Sequence, residues 1–218
     1  MAKKSYAICG LGSFGARLAT ELAASGNMVL ACDINPSRVE QLRDKVSAAV
    51  IADVSSEDAI RELDISKFDA VILSMSSFFE KQILALTLLK QEGARRVLAK
   101  ATSDIQERIL YRLGADEVIQ PEQDVAERLA RRLSLSHITD IFEFRGEAIA
   151  EVVVPRQMDG RTLKELNLRQ KGFVTVLLVN KPGRDRHDTP GPNTRLETGD
   201  RLTVFGNRQA IMETFQEN

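Results

Sequence analysis

From residue 5 to residue 119, short apolar runs alternate with stretches in which apolar residues recur every three or four positions. The runs at 5–10, 28–33, 48–52, 69–74, 96–101 and 117–119 read as strands. The stretches between them read as helices: 13–25, 38–45 with Pro36 at its first turn, one capped at 55–58 that ends near Leu63, 78–92, and 104–113. Gly26, Gly93 and Gly114 stop three of these helices. Strands that are apolar throughout are buried on both faces, which points to a parallel sheet covered by helices. Each crossover is expected to be right-handed. The expected fold class is α/β, a Rossmann-like doubly wound parallel sheet.

The alternation ends at Pro121. A charge-rich helix is expected over 122–135, followed by a short apolar segment at 138–144. Strands are expected at 149–154, 174–180 and 201–205, a short helix at 162–166 and a closing helix at 207–215. A polar loop with Pro182-Gly183, Pro190-Gly191 and Pro192 interrupts them. This reads as a small α+β C-terminal subdomain. The expected division is 1–135, a hinge or crossover at 136–146, and 147–218. Ile138, Ile141, Phe142 and Phe144 crowd that crossover, which suggests a segment embracing a neighbouring subunit.

Composition narrows the classes. The chain has 218 residues, of which 43% are hydrophobic, enough for a real core. Lys and Arg number 30 against 31 Asp and Glu, a net charge of −1, so binding nucleic acid by phosphate neutralisation is not expected. Aromatics are 5% with no Trp, which argues against single-strand stacking surfaces. The two cysteines, Cys9 and Cys32, lie in strand runs and read as buried small hydrophobes in a reducing compartment. The Met-Ala-Lys-Lys-Ser start is charged and runs into a strand, unlike a signal peptide. No apolar run reaches the roughly 18–20 residues of a membrane span. Work at a membrane would go through a partner.

The chemistry concentrates at strand ends. Gly10-Leu11-Gly12-Ser13-Phe14-Gly15 is G-x-G-x-x-G between an expected strand and an expected helix. Gly10 permits the tight turn, Gly12 lets phosphate approach the backbone, and Gly15 lets helix and strand pack closely. Helix-start amides hold phosphate oxygens without a side-chain cation. Asp33 ends the second strand about 20 positions on, where a carboxylate accepts ribose hydroxyls and repels a 2′-phosphate. Asp53 ends the third strand; it is either an acceptor for an adenine amine or a turn acid. Ser74, Met75 and Ser76 end the fourth strand at the switch point. Lys100 ends the fifth, either approaching phosphate or snorkelling at the surface. The two histidines, His137 and His187, lie outside these loops, and no nucleophile triad or metal cluster stands out. An NAD(H)-dependent oxidoreductase or redox sensor is therefore the alternative reading, not the first.

These residues, with Asp33-Ile34-Asn35, Ala52-Asp53, Leu113-Gly114-Ala115-Asp116 through Pro121-Glu122, and Glu197-Thr198-Gly199-Asp200 before Val204-Phe205-Gly206, resemble the regulator-of-potassium-conductance (RCK) family, in particular its KtrA/TrkA-like members. The resemblance implies a nonenzymatic cytoplasmic subunit that gates a potassium uptake transporter, attached to the inner face of the membrane through a KtrB/TrkH-like subunit. It implies dimers, an octameric ring, and ATP/ADP or NAD/NADH in the pocket of Gly10, Gly12, Ser13, Phe14, Gly15, Asp33 and Ile34. Relatives often carry an arginine where this chain has Ser13, so NAD(H) gains weight against ATP and ADP; Arg17 lies one turn on. Glu122 matches a carboxylate of an intersubunit site for Na⁺, Mg²⁺ or Ca²⁺, while by itself it also reads as a helix-capping acid. Some relatives bind cyclic di-AMP in the C-terminal domain, for which Arg161, Arg169, Arg184 and Arg186 are the cations at hand.

Overall fold

The computed structural model describes residues 3–75, 78–134, 138–144, 146–183 and 189–215. Ser76, His137, Arg184, Arg186 and His187 lie outside the described residues. The chain divides into two compact units at Asp124 and Val125.

In the first unit, the strands are β1 (Ser5–Cys9), β2 (Met28–Asp33), β3 (Ala48–Ile51), β4 (Ala70–Leu73), β5 (Val97–Lys100) and β6 (Glu117–Ile119). They form one parallel sheet in the order β3-β2-β1-β4-β5-β6. The helices between them are α1 (Ser13–Ala24), α2 (Pro36–Glu40), α3 (Glu57–Glu62), α4 (Phe79–Gln91) and α5 (Asp104–Arg112). α6 (Pro121–Ser134) starts in this unit.

Strand periodicity explains the two-sided burial. Successive side chains point to opposite faces. Ala7, Cys9, Cys32, Val71 and Leu73 join one core with Leu86 and Leu89 of α4 and Leu110 of α5. Ile8, Val29, Ala31 and Ile72 join the other with Ala19 of α1 and Val39 of α2. The strand order reverses between β1 and β4, which opens a crevice at their carboxyl ends.

Helix α2 is shorter than the expected 38–45. Its ring of bonds tightens after Glu40, where Leu42, Arg43 and Lys45 amides each reach back only three residues. That tighter winding still buries Val39 and Leu42.

The second unit holds an antiparallel sheet in the order β7-β8-β10-β9. Its strands are β7 (Ile138–Phe144), β8 (Glu147–Val153), β9 (Thr175–Asn180) and β10 (Arg201–Asn207). The helices are α7 (Leu163–Leu166), α8 (Leu168–Lys171) and α9 (Arg208–Phe215). Thr162 and Glu165 close a reciprocal capping box that starts α7. Ala148, Ala150, Val152, Leu202 and Val204 point inward against Ile211 and Phe215 of α9.

The segment expected as a crossover carries β7, which pairs with β8 from Ile138 to Phe144. At this sheet edge the backbone groups of β7 that face β8 are paired within the unit. The division between the two units at Asp124 and Val125 lies inside α6.

Candidate functional site

The crevice at the switch point is a cavity of about 410 Å³. Its walls come from the β1–α1 turn (Gly10, Gly12), the end of β2 (Cys32, Asp33, Ile34, Asn35) and Arg38 of α2. Ala52 and Val54 follow β3, and Ser74, Met75, Phe78 and Lys81 close the far side after β4.

The three glycines of the turn do three different things. Gly10 has φ +96°, and a Cβ there would stand 2.9 Å from the Ser74 carbonyl. A Cβ on Gly15 would stand 2.0 Å from the Gly10 carbonyl oxygen, so only glycine lets α1 leave this close to β1. Gly12 meets nothing within 4 Å, so the absent side chain there leaves open space over the cavity. Gly12 is also the N-cap of α1, and no side chain caps that terminus. Ser13 is exposed and Phe14 half-buried beside it.

Asp33 is buried, and its carboxylate is fixed by the main chain. The Leu11 amide donates to Oδ2 at 2.6 Å and the Asn35 amide to Oδ1 at 2.8 Å. Arg38 Nη1 lies 3.5 Å from Oδ2. The carboxylate thus ties the glycine turn to the end of β2 and keeps lone pairs facing the cavity. Ile34 and Phe78 are about half exposed at the mouth; with Ala52, Val54 and Met75 they make an apolar slot.

Asp53 does not line the cavity directly. Its Oδ2 accepts from Lys81 Nζ at 2.8 Å, and its Oδ1 from the Ser55 amide at 3.0 Å and hydroxyl at 2.5 Å. Lys81 first, then Ser55, hold its pKa down at about 2. Cys32 forms part of the cavity floor. It faces Cys9 on the neighbouring strand, and the hydrogen bond with Cys9 and burial push its thiol well up. Both cysteines are reduced and buried.

Lys100 is buried and also stands outside the cavity walls. Its ammonium bonds Glu122 Oε1 at the start of α6 and lies 5.8 Å from the centroid of the Phe14 ring. That bond holds the Glu122 carboxyl below its ordinary range. Among the described residues no group of three or more His, Cys, Asp or Glu side chains comes together. The cation site expected at Glu122 lies between subunits; within the one chain Glu122 is paired with Lys100.

The structure therefore gathers Gly10, Gly12, Asp33, Ile34 and Ser74 around one cavity. Ser13 and Phe14 lie beyond it in the first turn of α1, Lys100 at the end of β5 stands beside the Phe14 ring, and Asp53 is bonded to Lys81. Arg38, Phe78 and Lys81 were missed in the sequence. Each sits on a helix or turn where a lone charge or aromatic reads as solvated surface, and only the crossing of α2 and α4 over the strand ends brings them together.

No described helix is long and apolar enough to cross a membrane. The TrkA-N domain model matches residues 6–121 and the TrkA-C domain model residues 149–217. Over 204 residues the chain is 35% identical to Ktr system potassium uptake protein A of Vibrio alginolyticus, covering 93% of this chain and 92% of that protein. It is 31% identical over 205 residues to Ktr system potassium uptake protein C of Bacillus subtilis, covering 94% and 92%. Two solved structures share the fold. The GsuK RCK domain gives a TM-score of 0.66 at 17% identity over 99% of this chain and 48% of that one. The GsuK channel bound to NAD gives 0.66 at 17% over 99% and 40%. The chain spans less than half the length of either.

Proposed function

The chain belongs to the family of Ktr and Trk potassium uptake proteins that join a TrkA-N to a TrkA-C domain, and from that premise we propose that it is a nucleotide-sensing regulatory subunit of a membrane potassium transporter. The observation that carries the reading is the cavity itself: an uncapped glycine turn, the main-chain-anchored carboxylate of Asp33 and an apolar slot share one crevice at the switch point. The slot of Ile34, Val54, Met75 and Phe78 takes an adenine ring. Asp33 takes the ribose hydroxyls. The amides after Gly12 take phosphate. Asp53 reaches the adenine amine once Lys81 shifts. The GsuK channel binds NAD, an adenosine dinucleotide of this kind.

In this reading the ligand acts as an effector, as fits relatives named for potassium uptake. An effector moves a gate only through different affinities for two states. Those states belong to an assembly: a dimer and, in the fuller reading, an octameric ring in the cytoplasm below the membrane subunit. In that reading 1–135 binds nucleotide, 136–146 crosses to a neighbour and 147–218 is the small domain, with cyclic di-AMP as its ligand.

The test is thermal unfolding against ATP, ADP, NAD⁺ and NADH. A ligand that binds only the folded state raises the midpoint with its concentration. Adenine nucleotides are expected to raise it, and Asp33→Ala to abolish the rise. If none of the four moves the midpoint, the reading is lost. The same titration ranks ATP and ADP against NAD(H).

A further inference from the structure

Cys9 and Cys32 are the last partners in the register of β1 with β2, side by side at the carboxyl ends of two neighbouring parallel strands. Both side chains belong to the core shared with α4 and α5, both thiols are reduced, and they share a hydrogen bond. Each stands one residue before a group on which the cavity depends. Cys9 precedes Gly10, which opens the glycine turn, and Cys32 precedes Asp33. The Gly10 amide donates to the Cys32 carbonyl at 2.8 Å, and the Leu11 amide to Asp33 Oδ2 at 2.6 Å. The turn and the carboxylate are thus joined just beyond the two thiols. Cys32 also forms part of the cavity floor, which gives a small reagent a way in.

Neighbouring strands run about 4.8 Å apart, and residues in register project from the same face. A disulfide spans Cα atoms roughly 4.4–6.8 Å apart, so this pair is within reach of one. It also wants Cβ atoms about 3.8 Å apart, closer than parallel strands hold them. Closing the bond therefore draws the ends of β1 and β2 together by about 1 Å. A bond strained in this way is readily reduced again. The movement falls on Gly10 and Asp33, and a binding constellation keeps its fit only within about 0.5 Å.

We infer that Cys9 and Cys32 are a reversible oxidation site at the floor of the cavity, which a small-molecule disulfide closes to a protein disulfide and which lowers nucleotide affinity when closed. The site stands on the placement of the two thiols; its effect on affinity rests on the nucleotide reading of the cavity. The Cys32 thiolate attacks one sulfur of the reagent, forms a mixed disulfide and expels one small thiolate. The Cys9 thiolate then attacks the Cys32 sulfur, forms the Cys9–Cys32 bond and expels the second. The two expelled thiolates take up the two protons, so the protein gives up two electrons and the reagent becomes two thiols. The hydrogen bond with Cys9 and burial hold the Cys32 thiol well up, so the attack is slow and the pair follows a sustained shift in thiol balance. Linkage makes the effect reciprocal: a nucleotide that prefers the dithiol keeps the pair reduced.

The experiment equilibrates the full chain with 2-hydroxyethyl disulfide and an excess of 2-mercaptoethanol, which strips single adducts. Mass spectrometry of quenched samples is expected to show wild type lighter by two hydrogens, with the bond inside one chain, and restored by stronger reductant. ADP and NAD⁺ are then titrated calorimetrically into the reduced and oxidised forms. The nucleotide that binds the reduced form is expected to bind the oxidised form about tenfold more weakly. Its saturation is then expected to raise the potential of the pair by about 30 mV, the equivalent of tenfold for a two-electron couple. Cys9→Ala cannot close the bond and is expected to bind alike before and after the oxidant; Cys9→Ser, near in volume, replaces it if the first variant fails to fold. A chain that gains only reagent mass, or cross-links to a second chain, overturns the site. Equal affinity in the two forms, or the same fall in the Cys9 variant, overturns its effect while the cavity reading stands. If reduced wild type binds neither ADP nor NAD⁺, the cavity reading and the coupling are both lost, and mass alone decides the site.

Discussion

The parallel sheet of the first unit is covered on both faces, whereas the antiparallel sheet of the second is covered on one. In β1, Ile8 and its neighbours Ala7 and Cys9 are all fully buried, split between two cores. In β10, Leu202 and Val204 are fully buried while Phe205 is 41% exposed. Phe205 pairs with Ile149, and Ile149 with Phe142, so an apolar row crosses three strands on the open face. The difference decides where each unit has room for function. A sheet with both faces filled can open only at its strand ends, and there the first unit has its crevice. A sheet with a bare face offers that face, a surface for another protein rather than for a small molecule.

The sharpest way to break the comparison is to damage one unit and watch the other. Gly15→Ala puts a Cβ against the Gly10 carbonyl at 2.0 Å, a clash between backbones that no rotamer relieves. It is expected to cost the first unit about 3–5 kcal/mol. Both tyrosines, Tyr6 and Tyr111, lie in the first unit, so tyrosine fluorescence in urea reports it alone. Hydrogen exchange at β8 and β10 reports the other. Fluorescence should move and β8 and β10 protection should hold. If both move together, the units fold as one.

Next in size is a pair of changes within one strand. Leu202→Ala empties a site on the covered face and is expected to cost about 2–5 kcal/mol. Phe205→Ala, on the bare face, is expected to stay within about 0.5 kcal/mol of wild type in dilute solution. Its effect belongs to assembly: sedimentation at rising concentration should show weaker self-association. A loss of stability from Phe205→Ala as large as that from Leu202→Ala would mean that the face is covered within the chain.

The same contrast explains what was legible in the sequence. The strands of the first unit announce themselves because residues such as those of Ala70–Leu73 are all buried, and an unbroken apolar run is hard to misread. The G-x-G-x-x-G turn and Asp33 were legible because their spacing is a local matter. β7 was not, because Phe142 and Phe144 advertise an apolar segment but only β8 beside them makes it a strand. Lys81 and Arg38 were hidden for the same reason: their place at the cavity depends on two helices that meet only in three dimensions. The partnership of Lys100 with Glu122 spans β5 to α6 and has no signature in either motif.

Asp33 is the next test, because it serves both stability and ligand. Asp33→Ala leaves the Leu11 amide without its acceptor in a buried place and the Asn35 amide without its acceptor in a partly buried one. The expected loss is about 1–3 kcal/mol, confined to the tyrosine signal of the first unit. Asp33→Asn keeps an acceptor for one amide and should recover part of that stability. It should not recover nucleotide affinity, since the charge that draws the ribose hydroxyls is gone. Recovery of both would reduce Asp33 to a turn residue.

The smallest effect is the acid dependence of the Asp53–Lys81 pair at the rim of the cavity. With Lys81 and Ser55 holding it, the folded carboxyl titrates at about 2, whereas an unfolded Asp titrates at about 4. Between those values the unfolded chain binds more protons, so the contribution is complete above about pH 4 and fades as pH falls towards 2. The two side chains are 41% and 40% exposed, so screening keeps the pair below about 1 kcal/mol. Lys81→Met removes its main cause. Urea midpoints measured from pH 6 down to pH 2 should show wild type and Lys81→Met apart at the top of the range and converging at the bottom. Curves that stay parallel throughout would place the effect of Lys81 in packing at the cavity rim, and the charge of Asp53 would then be free to meet a ligand without first giving up a partner.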